Sequence, residues 1–313
     1  MTEFSLVGDI GGTNSRFGLV EQGSMAVQHM EALRNDNFSS LEAAIQQYLK
    51  NQNVKSLLSA AIAVAAPVDG ETITLTNRDW TFSTESLRIA ANAKRLRLLN
   101  DYEALALALP HLQGDDVVQI GGQAAATPMV KIVLGPGTGL GMAALAPLKQ
   151  GSWMVLPCEP GHITLPIETR EEFDWREGMR APGQVFTTEE AISGGGLYLM
   201  YKTLSPNGIL ISPEAVIKAA LAGSDSDAMK TLDQFIIWLA RIAGDAAMTL
   251  QARGGVYLAG GIAPSIIDKL KSGPFRTVFE EKGKLAHVMR PVPIYVIVDR
   301  FPAFKGCAAS LTQ

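Results

Sequence analysis

The sequence predicts an α/β protein built from mixed sheets in two domains. Three observations carry this. The first hundred residues read as three strands followed by alternating helix and strand. Glycine-rich turns recur directly after apolar strands. And 313 residues with 47% hydrophobic content suffice for two ordinary cores. The second domain is expected to begin after Pro110, giving residues 1–109 plus 299–313 as a small α/β domain and 110–298 as a large one. No linker or low-complexity tract separates them, so they are expected to be intimately joined.

Taken in order, strands are expected at Phe4 to Gly8, Ser15 to Val20 and Ala26 to Glu31. A helix follows from about Ser40 to Lys50, where Leu41, Ala44, Ile45, Tyr48 and Leu49 recur at three and four and Ser39 or Ser40 offers an N-cap. Ala60 to Ala65 is apolar on both faces and should lie centrally in its sheet. Leu96 to Leu99 makes a further strand, and Tyr102 to Leu109 a helix that Pro110 stops. Beyond it, Val130 to Leu134 and Met142 to Ala146 flank the turn LGPGTGLG (Leu134 to Gly141), an echo of the chain's opening that points to an internal duplication. The charge-dense stretch Glu168 to Arg180 reads as a solvated helix or loop without chemistry. Ala228 to Ala252 carries a wide apolar stripe and is a core helix. Gly254 ends it, Val256 to Ala259 is a strand, and a helix begins near Pro264. The chain closes with a strand at Ile294 to Val298 and a helix at Ala303 to Leu311.

Composition narrows the function. Twenty-seven basic against 31 acidic residues, with no Lys/Arg block, argue against a nucleic-acid surface. Cys158 and Cys307 are too few for a disulfide framework and form no C-x-x-C pair, which fits a reducing cytoplasm. Acids at Glu3 and Asp9 break the apolar core that a signal peptide needs, and the long uncharged run Ile132 to Leu148 is interrupted by glycines and prolines, so neither export nor membrane spanning is expected.

The stretch VGDIGGTNSR (Val7 to Arg16) reads either as a phosphate cradle or as an ordinary hairpin turn. For the cradle, Gly11 and Gly12 let backbone N–H groups approach a ligand, and Thr13 and Asn14 add donors. Asp9 then makes sense as a carboxylate near phosphates if Mg²⁺ lies between them. A third glycine turn, Gly260-Gly261, again follows an apolar strand. If two homologous sheets face each other, all three turns can converge on one cleft at the strand ends. The chain lacks G-x-x-x-x-G-K-[ST], lacks G-x-G-x-x-G after the first strand, and lacks H-E-x-x-H and G-x-S-x-G, which disfavours P-loop, dinucleotide and common hydrolase sites. Asn100-Asp101, between a strand and a helix, suits an N-cap. Glu159 and His162 sit three apart on a loop, a pair that could be no more than a solvated loop or half of a metal site.

In order along nearly the whole chain, DIGGTNSR, LLNDYEA, LGPGTGLG, LPCEPGH, TTEEAISG and LAGGIAP resemble the bacterial glucokinase family. This family belongs to the actin-like, RNase H-like ATPase superfamily, and the cysteine-rich zinc motif of the related ROK-type kinases is absent here. The resemblance implies two RNase H-like domains of duplicated mixed-sheet units around a central cleft whose closure excludes water. It implies an ATP-dependent transfer to the 6-hydroxyl of D-glucose that feeds glycolysis, with Mg²⁺, in a cytoplasmic homodimer. Carried over residue by residue, Gly8, Asp9, Ile10, Gly11, Gly12 and Thr13 with Gly137, Thr138 and Gly139 hold the phosphates, and Gly260-Gly261 border the adenosine. Asp101 matches the catalytic base, while Asn100, Glu159, His162 and Glu189 match residues that bind sugar hydroxyls. Glu189 is preferred over Glu190 from its distance to Ser193-Gly194, the alternative being an acid pair favoured by a helix dipole. Asn77 and Trp80 also match, Trp80 more as a packing residue than as a sugar platform. Cys158 and Pro160 stand where the family usually has glycines, which could stiffen the sugar loop. Rival readings are a kinase for mannose or an N-acetylhexosamine, and a non-enzymatic nucleotide-switched module. A repressor or chaperone is disfavoured because strand one begins by Phe4 and no residues remain for a further domain.

Overall fold

The computed structural model describes residues 4–68, 70–76, 78–124 and 128–312. Its contacts divide the chain into one unit of Met1–Leu112 with Asp299–Gln313 and another of Gln113–Val298. The first unit opens with β1 (Phe4–Ile10), β2 (Asn14–Glu21) and β3 (Val27–Arg34), then α1 (Leu41–Asn51) and β4 (Leu57–Val64). It continues through the short pair β5 (Ile73–Thr74) and β6 (Thr81–Phe82), α2 (Thr84–Ala90), β7 (Ala93–Asn100) and α3 (Asp101–Ala108). The sheet runs β3-β2-β1-β4-β7, antiparallel as far as β1 and parallel from there.

Apolarity sets this order. β4, apolar on both faces, is buried almost throughout and lies inside the sheet, as its composition predicts. β7 is longer than its apolar run suggested, because an edge strand tolerates the exposed Lys94, Arg95 and Arg97 that interrupt the pattern. In α1 the stripe Leu41, Ala44, Ile45, Tyr48 and Leu49 is buried, and Ser40, not Ser39, caps the helix by accepting the Ala43 N–H at 3.2 Å. The Tyr48 ring lies 5.3 Å from that of Phe17, tying the helix to β2.

The second unit contains β8 (Val117–Gly121), β9 (Lys131–Pro136), β10 (Leu140–Pro147) and β11 (Trp153–Cys158), followed by α4 (Arg170–Met179), α5 (Thr188–Ala191) and α6 (Gly194–Leu204). After these come α7 (Pro213–Ala222), α8 (Ser226–Leu250), β12 (Gly255–Leu258), α9 (Ile267–Ser272), α10 (Phe275–Glu280), α11 (Ala286–Met289) and β13 (Ile294–Ile297). Its sheet runs β11-β10-β9-β12-β13-β8. From β11 to β13 it repeats the first sheet's pattern of an antiparallel trio continued by two parallel strands. The echo seen in the glycine turns therefore extends to a whole sheet, to which β8 adds an antiparallel edge.

The 25-residue α8 buries the predicted stripe, including Leu232, Phe235, Ile236, Leu239 and Ala243. Its stripe also hides Arg241, 6% exposed, and the segment Glu168 to Arg180, a mostly exposed helix as expected, turns one acid inward to meet it. Glu172 on α4 is 3% exposed and receives Arg241 Nη1 and Nη2 at 3.0 and 3.1 Å. Burial pulls the Glu172 carboxyl upward, but the Arg241 guanidinium, the Glu168 N–H and Gln234 outweigh it and hold the pKa below the ordinary range.

The chain then returns to the first unit as α12 (Pro302–Ser310). A Cβ on Gly306 would fall 1.7 Å from the Ala104 carbonyl oxygen of α3, so the two helix backbones touch as only glycine permits. This contact seats α3, whose first residue is Asp101. Among the described residues no helix is long and apolar enough to cross a membrane.

Candidate active site

The first glycine turn joins β1 to β2, with Ile10 paired to Ser15. Gly8 and Ile10 are strand residues: a Cβ on Gly8 would meet Ile62 and Phe17 at 3.4 Å, and Ile10 is buried in the core, so Ile10 can serve a ligand only through its backbone. Gly11, Gly12 and the exposed Thr13 form the turn itself. Its carbonyl groups face the protein. Asn35, fully buried at the end of β3, donates Nδ2 to the Gly11 and Gly12 oxygens at 2.8 and 3.0 Å, and its backbone N–H to the Thr13 oxygen at 3.0 Å. The Asn14 oxygen accepts the Gly11 N–H at 3.0 Å. Among the described residues, the N–H groups of Gly12 and Thr13 have no acceptor within the protein.

Asn100 caps α3, its Oδ1 accepting the Tyr102 N–H at 2.9 Å while Glu103 closes a capping box on the Asn100 N–H. Its Nδ2 donates to the Ala66 oxygen at 3.2 Å, leaving one amide proton for another acceptor. Asp101 follows as the first helical residue. Burial pushes its carboxyl from the ordinary 3.8 up to about 6, the Asp9 charge pushes the same way, and backbone and Asn100 hydrogen bonds oppose both. The cap predicted for this dipeptide is thus filled by Asn100, and Asp101 is left as a poised carboxylate.

Asp9 sits opposite Arg16 on β2, 3.4 Å from its Nη1. Burial raises the Asp9 pKa, with Arg16 opposing. The Asp9 charge adds to the rise at Asp101, and carboxylates of this kind are donors suited to a hard divalent cation. Among the described residues no cluster of three or more His, Cys, Asp or Glu could enclose a metal. Mg²⁺ is ordinarily held by one or two carboxylates together with phosphate oxygens. Asp9 could hold it in this way.

In the second unit the structure brings the other two glycine turns together. Gly260 has φ +79° and sits so close that a Cβ would come 2.4 Å from the Pro136 oxygen. The turn Gly137-Thr138-Gly139 is closed by the Gly137 N–H on the Gly139 oxygen at 2.8 Å and fastened by the Gly194 N–H on the Gly137 oxygen at 2.8 Å. Gly137, Thr138, Gly194 and Gly261 open onto a cavity of about 1100 Å³, walled by Ile217, Leu221 and Ile262 and bearing Glu214, Lys218 and Ser265. A large apolar pocket with a few polar groups is what a nucleoside needs.

Beside these turns, Glu159 precedes a 3₁₀ turn over Pro160–His162, and both Glu159 and His162 are exposed. Pro160 takes the first position of that turn, where its fixed φ fits. Gly161 packs where a Cβ would lie 2.9 Å from the Leu140 oxygen and 3.1 Å from Glu189 Oε2. Glu189 Oε2 also accepts the Leu140 N–H at 2.9 Å. Its neighbour Glu190 closes the capping box of α5 on the Thr187 N–H, so the adjacent acids divide the work. Glu189 is the one aimed at the loop and the turn.

Several residues that shape the site carry no motif. Asn35 lies in a plain polar run after β3. Thr188 gives both its N–H and its hydroxyl to the Ile163 oxygen, and Arg241 Nη1 donates to the Pro166 oxygen at 3.0 Å, so the segment after His162 is held at two points. A lone arginine within an apolar helical stripe was the available signal for Arg241. Trp80 is 5% exposed beneath the Arg78 guanidinium, 4.6 Å from its ring, and packs with Ile73 and Phe82 as expected. Asn77 lies outside the described residues.

A family model described as Glucokinase matches residues 6–313. The glucokinase of Campylobacter jejuni subsp. doylei is 38% identical over 311 residues, covering 98% of this chain and 93% of its own. That of Marinobacter nauticus is 36% identical over 312 residues, covering 98% and 97%. The crystal structure of a glucokinase from an Antarctic psychrotroph matches with a TM-score of 0.89 at 30% identity, covering 100% of this chain and 99% of that one. The fold is that of the sugar kinases among the actin-like ATPases, and the chain belongs to the glucokinase family.

Proposed function

We propose that this glucose kinase moves the γ-phosphoryl group of ATP to the 6-hydroxyl of D-glucose with Asp101 as the base. The observation that carries this reading is the Asp101 carboxyl, pushed up to about 6 at the start of α3 in the same unit as the first glycine turn. A carboxylate of that basicity is largely ionised at neutral pH yet accepts a proton more readily than an ordinary aspartate. As the hydroxyl oxygen attacks phosphorus, its proton passes to Asp101 and ADP leaves. Asn100 holds a neighbouring hydroxyl with its free amide proton. Glu159, His162 and Glu189 hold others, since carboxylates and imidazole accept from hydroxyls and thereby select an epimer. The N–H groups of Gly12 and Thr13 and those of Thr138 and Gly139 meet phosphate oxygens, while the base and ribose occupy the apolar cavity beside Gly260-Gly261. Asp9 would hold Mg²⁺, which supplies charge neutralisation between the phosphates when bound. The reaction belongs in a reducing cytoplasm at the entry to glycolysis, and the assembly is a homodimer, which sedimentation would check.

A coupled spectrophotometric assay of sugar-dependent ADP release tests the reading, run with glucose, mannose, fructose and an N-acetylhexosamine. Turnover that prefers glucose is the expected result. Preference for another hexose would reassign the acceptor, and ATP turnover indifferent to any sugar would overturn the kinase.

A further inference from the structure

We infer that Asn35 is a positioning residue for phosphate binding, one that holds the carbonyl groups of the first glycine turn away from the nucleotide. This rests on the reading of Gly11 to Thr13 as a phosphate turn. A tetrapeptide turn can present a ligand with either its N–H groups or its carbonyl oxygens, and the second choice repels a phosphate. Here three carbonyls, those of Gly11, Gly12 and Thr13, are all bound to Asn35 at 2.8, 3.0 and 3.0 Å. The fourth, of Asn14, accepts the Gly11 N–H. One buried residue thus decides which face of the turn is left.

Its orientation is itself determined. Ser15 and Asn35 are both 0% exposed, and the Ser15 hydroxyl donates to Asn35 Oδ1 at 2.7 Å. That bond assigns the amide's oxygen to Ser15 and its nitrogen, with both protons, to the two glycine carbonyls. An acceptor in place of that nitrogen would face two carbonyl oxygens in a dry site, where unpaired polar groups are expensive. The turn would relieve this by rotating its peptide groups outward, toward the phosphates.

The test uses the full-length protein with three variants, Asn35→Ala, Asn35→Asp and Ser15→Ala. Binding of AMPPNP with Mg²⁺ and, separately, of glucose is measured by calorimetry. Hydrogen exchange of the peptide spanning residues 9–14 is followed with and without AMPPNP. In the wild type AMPPNP protects that peptide. Asn35→Ala weakens AMPPNP about tenfold or more and abolishes the protection, with glucose affinity unchanged. Asn35→Asp, which keeps the Ser15 contact but loses the donor, is at least as impaired. Ser15→Ala, which only loosens the amide, weakens AMPPNP about threefold. Wild-type AMPPNP affinity and protection in Asn35→Asp would overturn the inference. So would loss of both affinities in equal measure, the mark of a merely structural residue. Should Asn35→Ala fail to fold, the same split in Ser15→Ala decides. Absence of protection in the wild type would instead refute the phosphate turn itself.

Discussion

The two strand-glycine-strand hairpins have one topology and two different fastenings. In the first unit the turn after β1 is bound from behind by a neutral amide, Asn35, and its carboxylates stand on the strand before it (Asp9) and on a helix (Asp101). In the second unit the turn after β9 is held by a backbone N–H from Gly194 and by a carboxylate, Glu189, on the Leu140 N–H. No acid lies in β9, where Gly135 stands in the place corresponding to Asp9. Duplication therefore supplied two similar frames, and acid placement made them unlike. One frame has its carboxylates, Asp9 and Asp101, off the turn itself; the other uses its carboxylate, Glu189, to join the turn to the loop around Gly161.

The sharpest way to break that contrast is at Asp101. Asp101→Ala should lower kcat by about 10²- to 10⁴-fold with glucose binding intact, read by steady-state kinetics and calorimetry; a near-normal kcat would remove the base from the first frame. In the second frame the largest loss should be structural. Glu172→Ala takes from Arg241 its buried carboxylate, leaving only the exposed Glu168 and the Pro166 oxygen, and should cost about 3 kcal/mol, seen as a lower denaturation midpoint and accompanied by a raised glucose KM through the loosened Pro166. Asp101→Asn should do the opposite to stability. A carboxyl raised from 3.8 to about 6 binds its proton more tightly in the folded state, so the ionised form is unfavourable there above pH 6. Removing it should stabilise the protein by about 2–3 kcal/mol at pH 7, and the gain should fade as pH falls toward 4. By the same titration, kcat/KM of the wild type should decline as pH drops through about 6.

Smaller effects separate Glu189 from Glu190. Gly139→Ala would place a Cβ 2.2 Å from Glu189 Oε2, the mobile end of a side chain. Stability should change little while the glucose KM rises about tenfold; an unchanged KM would detach Glu189 from the sugar. Glu190→Gln should leave glucose kinetics alone and cost at most about 1 kcal/mol through its capping box. If Glu190→Gln raised the glucose KM instead, the division of labour between the adjacent acids would be reversed.

Much of the fold follows from patterns that act locally. Alternation and apolar runs placed β1, β2, β4 and α1, and the stripe of α8 was unmistakable. Glycines directly after strands marked all three turns, because a turn's backbone requirement is met by the residue that occupies it. Helices α6 and α7 went unread: α6 begins with three glycines, which point away from helix until packing against α8 decides, whereas α7 carries local signals, a Ser212 N-cap, Pro213 in its first turn and a left-handed Gly223 at its end. The acids of the site were legible as residues but not as roles. Capping chemistry separated Asn100 from Asp101 and Glu190 from Glu189.

The sequence by itself determined which segments are buried, where the chain turns and which carboxylates are available, since each of these depends on neighbours within a few residues. Tertiary structure alone decided what those groups face. Asn35 meets Gly11 across 24 residues, and Arg241 meets Glu172 across 69. A periodic pattern records that a face is buried and carries no trace of which partner covers it, and hydrogen bonding and pKa are set by that partner.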